Sequence, residues 1–305
     1  VGPGIVACDA EDDRGLAELF AQYQFRGVLN CAGNCALKAC EVAPEIAWRI
    51  NRDGVANLVR RVAEANARLV HLSIDLVFSG RAGRPLTEND SPDPVTQYGK
   101  SMVAAEELVL AKAPGACILR ISLPMGVSFN GHAGAIDWIA ARFRKGRPAT
   151  LYFDEIRTPT YTDCLNSVCE TVLARPDLTG VYHAGAPRAL SLFQIAQVVN
   201  RLGGFDADDL LGCHRLEAGP IPPRAGNVAM NSSKLAAALG RQPFAPWPLH
   251  DDWTPTGRGW HYIRNGNETR GEHQINASLY CNPAADAPRP WDVDGFPLPK
   301  SSSQA

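Results

Sequence analysis

Apolar positions fall in two alternating patterns along this chain. FRGVLNCAG, ARLVHLSIDLVFSG and GACILRISLPMG are nearly unbroken apolar runs closed by turn residues, as expected of strands buried on both faces. Helical spacing separates them. DDRGLAELFAQYQ, which follows the short run GIVACD, puts Leu16, Leu19 and Phe20 on one side of a helix. PEIAWRINRDGVANLVRRVAEANA reads as one long helix and QYGKSMVAAEELVLAKA as another. Strand and helix alternating in this way predict an α/β fold, a Rossmann-like parallel sheet with helices on both faces. Its ligands are expected at the C-terminal ends of the strands.

The alternation loosens after about residue 123. AIDWIAARFRKG, SLFQIAQVVNRLGG and SSKLAAALG have helical patterns and GVYHAGA that of a short strand, which suggests a smaller lobe over 124–241 that also returns elements to the sheet of 1–123. From 242 to 305 the chain is rich in Pro, Trp, Asp and Asn with little periodicity. That stretch reads as an extended, aromatic-anchored wrap or an interaction arm, partly disordered toward SSSQA. Trp247, Trp253 and Trp260 would serve packing onto the lobe or stacking on a base.

Composition narrows the partners. The chain has 305 residues, 45% of them apolar, and 30 basic against 32 acidic residues give a formal charge of -2 with no long run of one sign. Nothing there favours nucleic acid or an anionic membrane. No apolar stretch suits a membrane span and the start lacks the blocks of a signal peptide, so a cytoplasmic location is expected. The nine cysteines are odd in number and mostly sit among apolar neighbours, as reduced core residues do. Cys31, Cys35 and Cys40 form no CxxC pair, and no metal site is expected.

The chemistry concentrates in VLNCAG, ACEVAPEIAWRINRDGVANL, ARLVHLSIDLVFSG, DPVTQYGKSMVAAEE and LRISLPMG. In order and spacing these segments resemble the extended short-chain dehydrogenase/reductases, most of all the dTDP-4-dehydrorhamnose reductase family of sugar-nucleotide reductases, from about residue 4 to about 240. DEIRTPTYTDCL is similar to that family's segment after the substrate loop. The resemblance implies an NAD(P)-binding domain over 1–123, a substrate-binding lobe over 124–241, NADP or NAD as cofactor and a nucleotide-linked 4-keto sugar as substrate. It also implies a glycine-rich first turn. No GxxGxxG or GxGxxG occurs near the start, so the family's first strand, first helix and second strand are expected to be missing, and cofactor binding to suffer.

In that family a threonine and a YxxxK helix act on the substrate carbonyl. A phenol with a pKa of ~10 needs a nearby ammonium to work near neutral pH, and a spacing of four puts tyrosine and lysine on one helical face. Here Tyr98 stands at the tyrosine position, Met102 at the lysine position, Ile74 at the threonine position and Leu76 at an aromatic one. Lys100 is about 200° around the helix from Tyr98 at ~100° per residue, and cannot simply replace the lost lysine. A degenerate site with reduced or lost catalysis is therefore expected. The alternative is a non-catalytic sugar- or nucleotide-binding or regulatory subunit, with a protein partner or second copy. For that role the regulatory β subunit of methionine adenosyltransferase, similar at the level of fold, is a precedent.

By the same resemblance, Asn30, Gly33, Ser73, Arg120 and Ser122 match cofactor-binding positions and Asn51 one that props the site. Ordinary strand-end and cap chemistry is the alternative for Asn30, Asn51 and Ser122. Asn130 or His132 would contact substrate from the loop SFNGHAG. Arg157 would pair with a pyrophosphate or else with Asp154 or Glu155.

Overall fold

The computed structural model describes residues 4–128, 134–264 and 268–285. In chain order its helices are α1 (Asp13–Tyr23), α2 (Leu37–Val42), α3 (Pro44–Trp48), α4 (Gly54–Glu64), α5 (Gln97–Lys112), α6 (Ala135–Phe143), α7 (Thr162–Leu173), α8 (Leu192–Gly203), α9 (Ser233–Leu239) and α10 (Glu272–Ser278). The strands are β1 (Gly27–Asn30), β2 (Arg68–Ile74), β3 (Cys117–Ile121), β4 (Pro124–Met125), β5 (Ala149–Tyr152), β6 (Ile156–Arg157), β7 (Thr160–Tyr161), β8 (Gly180–Ala184), β9 (Leu190–Ser191) and β10 (Leu210–Cys213).

Two compact units result. The first takes in the chain up to Ile121 with Val168–Ala184 and Gly219–Val228; the second takes in Ser122–Ser167, Gly185–Ala218 and the chain from Ala229 on.

The first unit is built on a parallel sheet in the order β1-β2-β3-β8. Leu69 and Ile118 pack beneath Val55, Val59 and Val62 of α4 and Ala105 and Val109 of α5. On the sheet's other face Gly27 lies against Leu173, near the end of α7. Helices on both faces explain why these strands carry no polar alternation: each side chain, whichever way it points, is covered. The parallel, Rossmann-like sheet is thus as the hydrophobic pattern implies.

The details differ in three places. The expected long helix after Pro44 is interrupted by a π-helical turn, Arg49–Asp53. The third strand stops at Ile121, and Pro124–Met125 pairs instead with β7 in the second unit. Helix α7 has no strong signal in TDCLNSVCETVL because its Thr, Val and Asn residues are weak helix formers, and burial of Leu165, Val168 and Val172 overrides propensity.

The second unit packs α6 and α8 around Ile136, Ile139, Phe143, Ile195, Val198 and Leu202. Helix α8 starts in a capping box, Ser191 Oγ accepting from Gln194 N and Gln194 Oε1 from Ser191 N. The late chain is part of this core. Trp247 is fully buried and donates through Nε1 to the Leu279 carbonyl at 2.8 Å. Tyr161 Oη donates to the Ser278 carbonyl and accepts from Leu249 N. The amide of Gln197 donates to the carbonyls of Gly257 and Arg258, both at 3.0 Å. Trp260 is buried beneath the Arg201 guanidinium at 4.2 Å. Among the described residues no helix is long and apolar enough to cross a membrane.

Candidate functional site

Helix α5 sets the site's geometry. Thr96 caps it, Oγ1 accepting from Gly99 N at 2.9 Å, so the helix begins just before Tyr98. A Cβ on Gly99 would collide with the Leu76 carbonyl oxygen, so glycine lets this first turn approach the end of β2. Tyr98 (8% exposed), Met102 and Leu76 pack in one buried cluster with Cys40, Ala47 and Val77, and Ile74 packs against it. The structure therefore brings together the kept tyrosine and both replaced positions. Lys100 is exposed.

The π turn supplies the site's prop. Asn51, at 1% exposure, sits in that turn. Its Oδ1 accepts from Asn34 N at 2.6 Å, and its Nδ2 donates to the Asn34 carbonyl at 3.1 Å and to Ser101 Oγ at 2.9 Å. Ser101 Oγ in turn donates to the Tyr98 carbonyl at 2.8 Å. One side chain thus ties the loop after β1 to the turn of α5 that carries Tyr98. Gly33 is exposed in that loop, and a Cβ there would stand 3.3 Å from Asn51 Oδ1. Single π turns recur at functional positions because the extra residue re-aims a side chain.

Beneath α4 and α5 a polar row crosses the sheet. Asn30 faces His71 in register, and Ser73, Arg120 and His183 face one another across β2, β3 and β8. Asn30 Oδ1 accepts from Ala32 N, which turns its Nδ2 to donate to His71 Nδ1 at 2.9 Å. The His71 ring proton then sits on Nε2, which has no partner among the described residues. Burial pulls the His71 pKa down to about 4.

Arg120 donates to Glu106 through Nε at 3.0 Å and Nη2 at 2.7 Å, and Ser73 Oγ donates to the same carboxylate. Arg120 Nη1 also reaches His183 Nε2 at 3.4 Å, so the proton of that ring lies on Nδ1, toward the Leu86 carbonyl. Burial holds His183 down to about 4; Glu88 pulls it the other way and Arg120 adds to the fall. Asn30, Ser73 and Arg120, expected from resemblance to meet a cofactor, spend polar atoms on His71, the Ala32 amide and Glu106 instead. Glu106, His71 and His183 were not singled out from the sequence. Glu106 could have been, since eight residues after Tyr98 it lies two turns along the same helix and is the carboxylate that a buried Arg120 requires.

A cavity of about 250 Å³ opens at the C-terminal end of β1, lined by Leu29, Asn30, Cys31, Ala32, Ile50 and Val55. It has the position and apolar lining of a ligand pocket in a parallel sheet. For a dinucleotide the fit is partial. The cavity would take an apolar ring, but the described residues include no glycine-rich turn to carry a pyrophosphate, so no chemical step is derived through that cofactor.

In the second unit Ser122 Oγ accepts from Thr158 N at 3.1 Å. Arg157 is buried with Nη1 3.4 Å from Glu155 Oε1. Asn130 and His132 lie outside the described residues. Among the described residues no group of three or more His, Cys, Asp or Glu is placed to hold a metal ion.

Comparison with known proteins matches residues 2–249 to the RmlD substrate binding domain family. The chain is 25% identical over 270 residues to methionine adenosyltransferase 2 subunit beta of Danio rerio, covering 83% of each. It is 29% identical over 245 residues to dTDP-4-dehydrorhamnose reductase of Mycolicibacterium smegmatis, covering 79% of this chain and 72% of that one. The crystal structure of dTDP-4-dehydrorhamnose reductase from Bacillus anthracis in complex with NADP superposes with a TM-score of 0.72 at 21% identity, over 78% of this chain and 83% of that one.

Proposed function

The chain belongs to the RmlD substrate binding domain family, and from that premise we propose that it binds a nucleotide-linked 4-keto sugar on a reductase scaffold and reduces it slowly or not at all. The observation that carries this is the burial of Tyr98 and Met102 in one apolar cluster with Ile74 packed against it. A family reductase needs an ammonium one turn from the tyrosine and a hydroxyl at the strand end. Here a thioether and a hydrocarbon occupy those places, and Lys100 points to solvent. Without an ammonium one turn along α5, the family's own means of easing proton release from the phenol near neutral pH is missing.

NADP or NAD is the cofactor in question, with Asn30, Gly33, Ser73, Arg120 and Ser122 as the positions matched to it. We assign Ser73 and Arg120 first to holding Glu106, and Arg157 to its buried partner Glu155, since each would have to abandon a charge-assisted bond to reach a ligand.

A second reading is a regulatory subunit of a partner enzyme. The similarity to methionine adenosyltransferase 2 subunit beta over 83% of both chains favours it, since that protein is by name a subunit.

The test is titration of NADPH and NADH by fluorescence, followed by a reductase assay with a dTDP-linked 4-keto sugar, on protein purified alone. Weak cofactor binding, nucleotide-sugar binding by calorimetry and turnover at least about 100-fold below a family reductase are expected, the factor being what a general acid is worth. Turnover at a family rate that Tyr98→Phe abolishes would overturn the proposal. Absence of both ligands, with a partner enzyme retained on co-purification, would move the weight to the subunit reading.

A further inference from the structure

The second unit carries a cavity of about 250 Å³ at the C-terminal end of α8, lined by Arg201, Leu202, Trp253, Glu268, Arg270 and Gln274. Four of these six follow residue 249, so most of this lining lies beyond the segment matched to the family.

Three guanidiniums converge here. Arg201 and Arg270 both donate to one carboxylate, Glu268, Arg201 through Nε at 3.2 Å and Arg270 through Nη2 at 3.2 Å. Arg264 donates to neutral oxygens, Asn200 Oδ1 at 3.2 Å and the Phe205 carbonyl. Burial and the charges of Arg270 and Arg201 hold Arg264 below the usual guanidinium range, while Asp206 and Glu268 oppose the fall. Glu272, two residues after Arg270, is taken by Arg144 at 2.5 Å. Arg201, Arg264 and Arg270 thus share this corner of the unit with the carboxylates of Glu268 and Asp206. Arg201 is fixed from behind by the Trp260 ring at 4.2 Å. Trp253, half-buried and edge-on to His250 at 4.8 Å, and Leu202 give the cavity an apolar wall.

We propose that this cavity binds an oxyanion carried on a flat aromatic body, the anion against Arg201 and Arg270 and the ring along Trp253 and Leu202. Guanidinium forks suit the planar spread of a phosphate or carboxylate, and a tryptophan face supplies contact area at little entropic cost. Glu268 holds the two forks in place when no ligand is bound, and an incoming oxyanion takes over donors that the carboxylate now occupies. The proposal does not rest on the reductase reading.

Calorimetric titration of the full chain with phenyl phosphate, benzoate and inorganic phosphate tests it. Phenyl phosphate should bind with a Kd of roughly 10 μM to 1 mM, and inorganic phosphate about tenfold more weakly. Benzoate binding as well as phenyl phosphate would identify the recognised group as any oxyanion; benzoate failing would narrow it to phosphate. Arg270→Gln should weaken phenyl phosphate about tenfold or more, and Trp253→Leu should erase its advantage over inorganic phosphate. Glu268→Gln should tighten binding, an outcome that a merely structural carboxylate would not give and that stands independently if Arg270→Gln fails to fold. No saturable heat below about 10 mM phenyl phosphate, or an affinity unchanged in Arg270→Gln and in Glu268→Gln, would overturn the proposal.

Discussion

Asn51 Nδ2 stands 2.9 Å from Ser101 Oγ, and through that contact a residue of the π turn fixes the turn of α5 that bears Tyr98. Asn51→Ala would leave the half-buried amide of Asn34 and the fully buried Ser101 hydroxyl without this partner. The expected cost is about 1–3 kcal/mol, the penalty for stranded buried polar groups. Urea denaturation should show it as a lowered midpoint at unchanged slope. A midpoint within error of the parent would mean that the Asn51 bonds are replaced by water at no cost.

Glu106 and Arg120 are both nearly fully buried and joined by two-pronged contacts, with His183 beside the arginine. Removing one partner strands the other charge, so Glu106→Leu and Arg120→Met should each cost about 3–5 kcal/mol. The double variant Glu106→Leu/Arg120→Met, which removes both charges, should be more stable than either single one. A double variant as unstable as the sum of the two would show the pair to be coupled more to its neighbours than to itself.

Acid should act on this unit through its histidines. The His71 pKa in the folded protein, about 4, lies below the 6.5 of a free histidine, so as pH falls the unfolded chain takes up the proton first. The stability that goes with keeping His71 neutral is complete above about pH 6.5 and is lost as pH drops from 6.5 toward 4, by up to about 3 kcal/mol. Denaturation of His71→Gln at pH 7 and pH 5 should give a smaller pH difference than the parent. It should not vanish, because His183 is held at about 4 as well. An unaltered pH difference would rule out His71 as a source of the acid sensitivity.

The sheet, α4 and α5 were legible in the sequence because burial on both faces leaves unbroken apolar runs and one-sided burial leaves a helical stripe. Helix α7 was not, since its stability comes from Leu165, Val168 and Val172 packing and not from its weak helix formers. The tail, read as an aromatic-anchored wrap or an interaction arm, offered no pattern of elements. Without periodicity it still buries Trp247 and Tyr280, and single aromatic anchors leave no repeating signal. At the candidate site, motif spacing located Tyr98, Met102, Ile74 and Asn51. It could not reveal that Asn30 meets His71 or that Ser73 and Arg120 meet at Glu106, because those meetings depend on strand register.

Restoring the family's pair of polar groups tests what the apolar cluster around Tyr98 has removed. Met102 is 4% exposed, one helical turn from Tyr98. An ammonium placed there by Met102→Lys loses hydration, so that variant alone should be less stable than the parent by about 1–3 kcal/mol, read as a lower Tm. The same change puts a cation on the face of α5 that Tyr98 occupies, where it favours the phenolate. With Ile74→Thr supplying a hydroxyl at the end of β2, reductase activity on a dTDP-linked 4-keto sugar should rise at least about tenfold in protein saturated with NADPH, a fraction of the 10²–10⁴ that a positioned acid contributes. Adding Tyr98→Phe to the double variant should return the rate to that of the parent. A folded double variant that binds NADPH yet gains nothing would place the loss of chemistry outside the cluster of Tyr98, Met102 and Ile74.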